Sequence, residues 1–446
     1  MAADYDLVVL GGGLEGRIAA MMAVGYGARV ALVEPPGLFE DGQRQRWLLD
    51  GLEQLGQVRQ RQAVGKWFGY GGDDGELSWT QLVAWSKIAA ESRSAKYSTA
   101  AMSARGVDVV LEPPELLSRR MVVTTKSRRL SARGVLVACG VVPMAAPLLE
   151  MSALPEAVNV AGGSAMAVAW AEALAAVGVA VCLVARRVIP EADEDVQRLV
   201  RSQLVASGVQ IASMPTVSTS TVSTPREDAF ALEVDPSEPA LTLPSFAYAI
   251  AASASYLKVN CKLQTNCPRL FACGSVLGGS TSIRLAEYEA KIAVENALFL
   301  PTKRTDYESV VRGYGRCACA GLTQAGAEKR YGREVRVYVA SDSSSTDLSA
   351  TAPPPVYCKL VCAGDRLVGI HLLGRLSDNP AEDLVCLIAK QLGKSVSGLD
   401  SGSLSSEKLI GLIAKSSGQL RQSRWQVEQW RRDWAENWFN WRRSRR

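Results

Sequence analysis

The sequence predicts an α/β fold with two strand–turn–helix–strand units and a separate α+β region towards its C-terminal end. Residues 6–34 hold an apolar run, a glycine cluster, an Ala/Met-rich segment and a second apolar run. Residues 158–184 repeat this order with a weaker glycine cluster, and from residue 307 short strands and one helix replace it. Because two apolar runs that flank a helical segment are typical of parallel βαβ units, both units are predicted to be Rossmann-like.

The first unit carries the pattern G-x-G-x-x-G at Gly11, Gly13 and Gly16, between its strand and its helix. In such a motif the first glycine permits a tight turn, the second lets a pyrophosphate approach the backbone, and the third lets helix and strand pack closely. Glu34 ends the second strand, where an acid accepts hydrogen bonds from a ribose. These residues predict a dinucleotide site; a glycine-rich turn without a ligand is the alternative.

The second unit has Gly162, Ser164 and Ala167 at the three glycine positions. Small residues still allow helix and strand to pack closely, although the fingerprint is weaker. Its second strand ends in Arg186 and Arg187 instead of an acid. Two arginines would bind the 2′-phosphate of NADPH, whereas an acid favours the ribose of NADH. A solvated strand end explains the arginines equally well.

Composition and charge limit the classes of function. With 446 residues, 48% hydrophobic and 21% charged, the chain is expected to be a globular protein of several domains. From residue 419 onward, eight arginines face three acids, which accounts for the whole net charge of +5. The remaining body is neutral, which argues against nucleic acid as a partner.

Cysteine and histidine usage limits the chemistry further. Ten cysteines are scattered without paired zinc-type spacing, which favours a reducing, cytoplasmic compartment. The single histidine, His371, excludes a multi-histidine metal site. We therefore predict no metal, and the strand-like start of the chain leaves no room for a signal peptide.

These segments, in this order, resemble the class-I pyridine nucleotide–disulfide oxidoreductases, a family that includes dihydrolipoamide, glutathione and mercuric reductases. The first glycine motif with Glu34 resembles the family's FAD fingerprint, and the second unit resembles its NAD(P)H fingerprint. Cys139 and Gly140 lie in LVACGVVP, which resembles the A-T-G-x-x-P segment. Gly274 and Ser275 lie in RLFACGSV, which resembles the second FAD motif, A-x-G-D.

The resemblance implies a domain organisation, two cofactors and a homodimer. Residues 1–150 and 245–305 would form a split FAD-binding domain, and residues 151–244 an NAD(P)H-binding domain. Residues 306–415 would form a dimerisation-like α+β domain, followed by a Trp/Arg-rich helix at 416–446. The implied cofactors are FAD and NADPH, or NADH.

Several departures from the family pattern concern the redox chemistry. No cysteine precedes Cys139, so the C-x-x-x-x-C pair that follows the acid in the family is absent. The stretch that matches the C-terminal H-P-T-x-x-E, residues 402–407, is GSLSSE and has no histidine. Ser275 stands where an aspartate holds the ribityl chain, and Ala169 stands where the family has a glutamate. We therefore predict no catalytic thiol or histidine, and we expect His371 to be structural.

Two functions remain open at this point. The first is an FAD-binding oxidoreductase without the disulfide, which passes electrons from NAD(P)H to a quinone, oxygen or another small acceptor. The second is a catalytically inactive pseudoenzyme that acts as a dimeric scaffold or regulatory binding protein. The intact first fingerprint favours the first function, and the run of losses favours the second.

The C-terminal segment contains five of the ten tryptophans of the chain, interleaved with arginines. At helical spacing most of them form one stripe. Such a helix suits docking to a partner protein or to an anionic membrane surface. The alternative is that it folds back onto the dimerisation domain.

Overall fold

The structure is a computed structural model that describes most of the chain. The described residues are 3–67, 78–117, 122–139, 146–212, 229–234, 257–278, 282–342, 356–374, 385, 389, 392, 393 and 438. The predicted helix at 381–392 falls largely outside this set, as do residues 402–407 and, except for Trp438, the Trp/Arg segment.

The first sheet has seven strands in the order β3-β2-β1-β6-β5-β4, with β11 also paired to β6. The strands are β1 (Tyr5–Leu10), β2 (Val30–Val33), β3 (Val107–Val110), β4 (Glu115–Leu117), β5 (Val122–Thr124), β6 (Arg129–Val137) and β11 (Leu270–Ala272). β3, β2, β1, β6 and β11 are parallel, and β4 and β5 extend the sheet in the antiparallel sense. Side chains 7–10 of β1 are fully buried, as expected for a strand covered on both faces.

Helices pack on one face of this sheet: α1 (Leu14–Gly25), α4 (Thr99–Ala104) and α8 (Ile283–Leu298). Three further helices, α2 (Leu38–Trp67), α3 (Trp79–Arg93) and α5 (Ala146–Glu150), share a separate buried cluster with the second sheet and its helices. Ala19, Ala20 and Ala23 of α1 share a buried cluster with Ala290 and Ala293 of α8. Small side chains at this contact let the two helices approach closely.

The second sheet has four parallel strands in the order β10-β7-β8-β9. They are β7 (Ala157–Ala161), β8 (Ala180–Val184), β9 (Gln210–Ala212) and β10 (Phe230–Glu233), with the helices α6 (Ala165–Ala176) and α7 (Glu194–Ala206). The apolar stretch at 160–184 is therefore strand, helix and strand, as predicted. None of the helices described combines the length and apolar content that a membrane span requires.

The third sheet is antiparallel, in the order β12-β13-β16-β15-β14. Its strands are β12 (Arg312–Tyr314), β13 (Cys317–Gly321), β14 (Val335–Asp342), β15 (Val356–Ala363) and β16 (Arg366–Leu373), and α9 (Gln324–Tyr331) precedes β14. Two parallel sheets with helices and a following α+β unit confirm the predicted fold class. The division into domains at the stated residue numbers stays a prediction.

Some predicted elements were wrong. The Ser/Thr/Pro-rich composition of residues 213–239 predicts hairpin loops or an irregular segment, but Phe230–Glu233 pairs with β7 in parallel. Leu232 is fully buried there, so tertiary packing outweighs the Ser/Thr/Pro-rich flanks that suggested a loop. The strand predicted at 135–140 begins at Arg129 and ends at Val137, because its first half pairs with β5. No element was predicted for α7, α9, β12 or β13.

Candidate functional site

The glycine turn after β1 is built from close backbone contacts. Gly11 has φ +99°, and a Cβ there would lie 2.5 Å from the Ala138 carbonyl oxygen. A Cβ on Gly16 would lie 1.9 Å from the Gly11 carbonyl oxygen. Gly13 precedes α1 with φ −55°, and a Cβ there would meet only Glu15 Oε2, at 3.1 Å. Gly11 and Gly16 are thus needed for the turn itself, whereas Gly13 faces space that a ligand can enter.

Glu34 lies beside this turn in a buried ion pair with Arg17, and each side chain is 1% exposed. The Arg17 guanidinium also donates to the Gly12 carbonyl at 2.9 Å and to the Tyr97 carbonyl at 2.7 Å, and lies 4.1 Å from the Phe39 ring centroid. Burial raises the pKa of Glu34 to about 7, and the attraction of Arg17 opposes the rise. No sequence pattern predicts this role of Arg17, because an arginine in a helical segment carries no signal that it is buried.

The second carboxylate oxygen of Glu34 has a different environment. Oε2 is buried and accepts no hydrogen bond from any residue in the described part of the chain. A Cβ on Gly12 would lie 1.4 Å from it, so the oxygen is held against the glycine turn. A buried acceptor without a donor is costly, and a ribose hydroxyl at this turn would satisfy it.

The end of β11 meets the start of α1 at the same turn. The Ser275 hydroxyl donates to Glu15 Oε1 at 3.5 Å, and a Cβ on Gly274 would lie 2.7 Å from Glu15 Cγ. The Gly274 N–H donates to Glu289 Oε2 at 2.7 Å. Burial raises the pKa of Glu15 and of Glu289, and the charge of Glu15 adds to the rise at Glu289. Tertiary structure therefore brings Gly274 and Ser275 next to Glu15, two residues after Gly13.

Cys139 follows β6 on the other side of the turn. Its thiol donates to the Leu10 carbonyl at 3.3 Å, and burial raises its pKa to about 12. At neutral pH it is a protonated thiol and a poor nucleophile. Gly140 lies outside the described residues.

The glycine-poor turn of the second unit is also formed by close contacts. Gly162 has φ +139°, and a Cβ on Gly163 would lie 1.9 Å from the Arg187 carbonyl oxygen. The Ser164 hydroxyl accepts a hydrogen bond from the Ala167 N–H at 3.2 Å and so caps α6. The backbone of Arg187 thus passes against this turn, while the side chains of Arg186 and Arg187 are exposed.

Comparison with known proteins agrees with this arrangement. A family model described as pyridine nucleotide-disulphide oxidoreductase matches residues 145–290. A dihydrolipoyl dehydrogenase of Bacillus subtilis is 23% identical over 425 residues, which cover 84% of this chain and 89% of the relative. A glutathione reductase of Burkholderia cepacia is 25% identical over 409 residues, which cover 83% and 89%. The crystal structure of LpdA from Mycobacterium tuberculosis is similar with a TM-score of 0.70 at 20% identity, over 93% of this chain and 99% of that one.

The family model and the two relatives support the class-I pyridine nucleotide–disulfide oxidoreductase family, and the solved structure supports its fold. This similarity supports an FAD-dependent pyridine nucleotide oxidoreductase as the general class.

The family's redox cysteines would lie shortly after Glu34, where this chain places the 30-residue helix α2. Gly42 and Trp47 of α2 belong to a stretch that holds no thiol, and the nine cysteines described are all free. Among the described residues, no group of three or more His, Cys, Asp and Glu side chains could hold a metal. Burial raises the pKa of the thiols of Cys139, Cys273, Cys317, Cys319 and Cys358, which favours their protonated form.

His371 lies on β16, between the second and third sheets. Its Nδ1 accepts a hydrogen bond from the Asp193 N–H, and its Nε2 lies 3.3 Å from the Leu322 carbonyl oxygen, so the proton is assigned to Nε2. Burial lowers the pKa of His371 to about 4. A neutral imidazole with both nitrogens engaged by backbone agrees with a structural role and does not supply a base.

The neighbouring Lys359 joins the same two sheets. It is 1% exposed, and its Nζ donates to Asp193 Oδ1 at 2.8 Å and to Asp195 Oδ2 at 2.7 Å. Asp193 also accepts from the Gln324 N–H at 2.7 Å. These contacts fix the start of α7 on the third sheet. No pattern in the sequence predicts a buried lysine on β15.

Proposed function

We propose that this protein binds FAD and uses NAD(P)H to reduce a small acceptor without a redox-active disulfide. The observation that carries the proposal is the buried Glu34 Oε2, which has no donor among the described residues and lies against a glycine turn. A dinucleotide supplies both the ribose hydroxyl for this oxygen and the pyrophosphate for the turn.

The chain's own residues have separate tasks in this proposal. The Gly11–Gly13 backbone and the N-terminal end of α1 would hold the pyrophosphate, since helix N-termini favour anions. Glu34 would accept from the ribose, and Ser275 would hydrogen-bond the ribityl chain. FAD, when bound, would provide the redox chemistry, which takes a hydride from NAD(P)H and passes its two electrons to the acceptor. Arg17 would favour the ionised form of Glu34 against the effect of burial and would hold its side chain in place.

Reduction of a disulfide substrate is not part of the proposal. That reaction needs a thiolate and a base for its proton. Cys139 is a buried thiol whose pKa is raised to about 12, and His371 is buried and neutral. Neither group can therefore replace the missing dithiol and histidine.

The absorption spectrum of the purified protein tests the proposal. We expect a flavin band and its bleaching when NADPH is added without oxygen. The same preparation should show no NADPH-driven reduction of lipoamide or glutathione disulfide. A protein that retains flavin but is not bleached by NADPH or NADH would contradict the oxidoreductase proposal, and robust disulfide reduction would contradict the absence of a working dithiol.

The preference for NADPH over NADH is a separate prediction. Charge-assisted hydrogen bonds to a phosphate contribute about 1.5–3 kcal/mol each. Arg186→Ala combined with Arg187→Ala should therefore weaken NADPH binding by about tenfold or more and leave NADH binding unchanged. Arg201→Ala, an exposed arginine on α7, is the matched control. Equal affinities of the unmodified protein for NADPH and NADH would show that the two arginines are only a solvated strand end.

A catalytically inactive scaffold is the second candidate, and Glu15 favours it. Its carboxylate accepts hydrogen bonds from its own backbone N–H and from Ser275 at the start of α1. A carboxylate at this helix N-terminus competes with a pyrophosphate for the same N–H groups, and its ionised form would repel the pyrophosphate. Purification of a colourless protein that does not take up added FAD would support the scaffold.

The homodimer and the docking role of the C-terminal helix also remain proposals. Trp438 is the described residue of that segment, and its ring lies 6.2 Å from the Phe299 ring, directly after α8. This contact is with the core of the first sheet's domain, not with the third sheet. It supports attachment of at least this part of the segment to its own chain.

A further inference from the structure

A cavity of about 370 Å³ opens between α1, α2, α3 and the start of α8. Its wall includes Leu14, the first residue of α1, so it begins one residue beyond Gly13 of the glycine turn. Small-molecule sites in proteins have volumes of roughly 300–1,000 Å³. The cavity is therefore large enough for a one- or two-ring compound beside the proposed cofactor site.

The wall of the cavity is strongly cationic. It contains the side chains of Arg46, Arg93, Lys96 and Arg284, against one carboxylate, Glu287. Arg284 pairs with Glu287 at 3.6 Å. Within the described part of the chain, the other three cations have no ion pair with an acid. Their charge attracts an anion into the cavity.

The wall is also aromatic. The Arg93 guanidinium carbon lies 4.4 Å from the ring centroid of Trp47, and that of Arg46 lies 5.9 Å from it. Nε1 of Trp47 is buried and finds no acceptor among the described residues. Because a buried indole N–H normally has a partner, this one favours a ligand with an acceptor oxygen. Leu14 and Ile18 add an apolar surface for the face of a ring.

We propose that this cavity binds a planar aromatic compound that carries an anionic group, such as a quinone with a sulfonate or carboxylate. The cations would hold the anionic group, Trp47 would donate to a ring oxygen, and Leu14 with Ile18 would contact the ring. Resting on the proposed function, this compound is the electron acceptor. NADPH and one proton then reduce the quinone: the quinone gains two electrons and two protons and becomes the hydroquinone, while NADPH is oxidised to NADP⁺.

The first test is binding to the purified full-length oxidised protein without NADPH, by equilibrium dialysis. The probes are naphthoquinone sulfonate and the uncharged methyl naphthoquinone. We expect the sulfonate to bind at least about tenfold more tightly, since hydrogen bonds to charged groups are the stronger class. Arg93→Gln combined with Lys96→Gln should remove this difference. Both side chains are exposed, so the fold should be unaffected.

Lys87→Gln is the matched control, because Lys87 is an exposed cation on α3 outside the cavity. Equal binding of the two probes by the unmodified protein would overturn the proposal. So would a loss of the preference for the sulfonate in Lys87→Gln as large as that in the double variant. The proposal would also be overturned if adenosine monophosphate displaced the bound sulfonate at concentrations lower than those at which the sulfonate itself binds, because the cavity would then be a nucleotide site. Selective binding of the sulfonate without its reduction by NADPH would support the anionic-ligand site in the cavity. That result would count only against the proposed oxidoreductase function.

Discussion

Replacing Gly13 by valine is expected to abolish flavin binding while the protein stays folded. A side chain at Gly13 meets only the flexible end of Glu15, at 3.1 Å, and the backbone there has φ −55°. Substitution at Gly12 or Gly16 would instead collide with Glu34 or with the backbone. Gly13→Val therefore blocks the pyrophosphate without breaking the turn.

We expect the flavin content of purified Gly13→Val to fall by about tenfold or more, because a pyrophosphate must approach the backbone at this position. The measurement is the ratio of flavin to protein absorbance, with thermal unfolding by circular dichroism as the check on the fold. Gly25→Val is the control, because a Cβ at Gly25 has no neighbour within 4 Å. Unchanged flavin content in a folded Gly13→Val protein would show that the glycine turn does not hold the cofactor.

Lys359→Met is expected to cause the largest loss of stability, about 3–5 kcal/mol in the free energy of unfolding. The substitution keeps most of the side-chain volume but leaves the buried Asp193 carboxylate without its cation. An uncompensated buried charge is costly, whereas an exposed one is not. Lys329→Met, an exposed lysine on α9, is the control and should change the stability by no more than about 0.5 kcal/mol in urea unfolding.

A second substitution identifies the cause of that loss. Adding Asp193→Asn to Lys359→Met removes the unpaired charge, so it should recover part of the stability. The pH dependence gives an independent check. Hydrogen bonds and attraction from Lys359 lower the pKa of Asp193, although burial opposes this. A carboxyl group whose pKa is lower in the folded than in the unfolded chain stabilises the fold at pH values above its unfolded pKa. This stabilisation is lost as the pH falls through the pKa of the folded state.

His371 acts in the same direction. Because burial lowers its pKa from 6.5 to about 4, the unfolded chain binds more protons between these values, and acid favours unfolding. Lys359→Met should therefore keep the part of the acid sensitivity that comes from His371 and lose the part that comes from Asp193. An unaltered pH profile with unaltered stability would mean that the lysine does not hold the two sheets together.

The central motifs were predictable because their meaning is local. Gly11 and Gly16, between an apolar strand and a helix, determine the turn. Residue 11 has φ +99°, which favours glycine, and a Cβ at residue 16 would lie 1.9 Å from a backbone carbonyl oxygen. Strands such as β1 and β8 followed from continuous apolar runs that two-sided burial requires. The sequence after RLFACGSV also predicts a helix at Ile283–Leu298, and the structure has the same bounds.

The sequence by itself determined the fold class, the glycine turn and the absence of a thiol before Cys139, because each depends on residue type at a given place in the chain. Only the tertiary structure decided which charges are buried and with what partner. Arg17 and Glu34 are 17 residues apart, and Lys359 and Asp193 are 166 residues apart. No local pattern distinguishes these four residues from solvated ones. Their pairing depends on how sheets and helices pack, and so does the convergence of Arg46, Arg93 and Lys96 around one cavity. Long-range packing sets the dielectric environment of each charge, and this environment decides whether a charge is solvated, paired or available to a ligand.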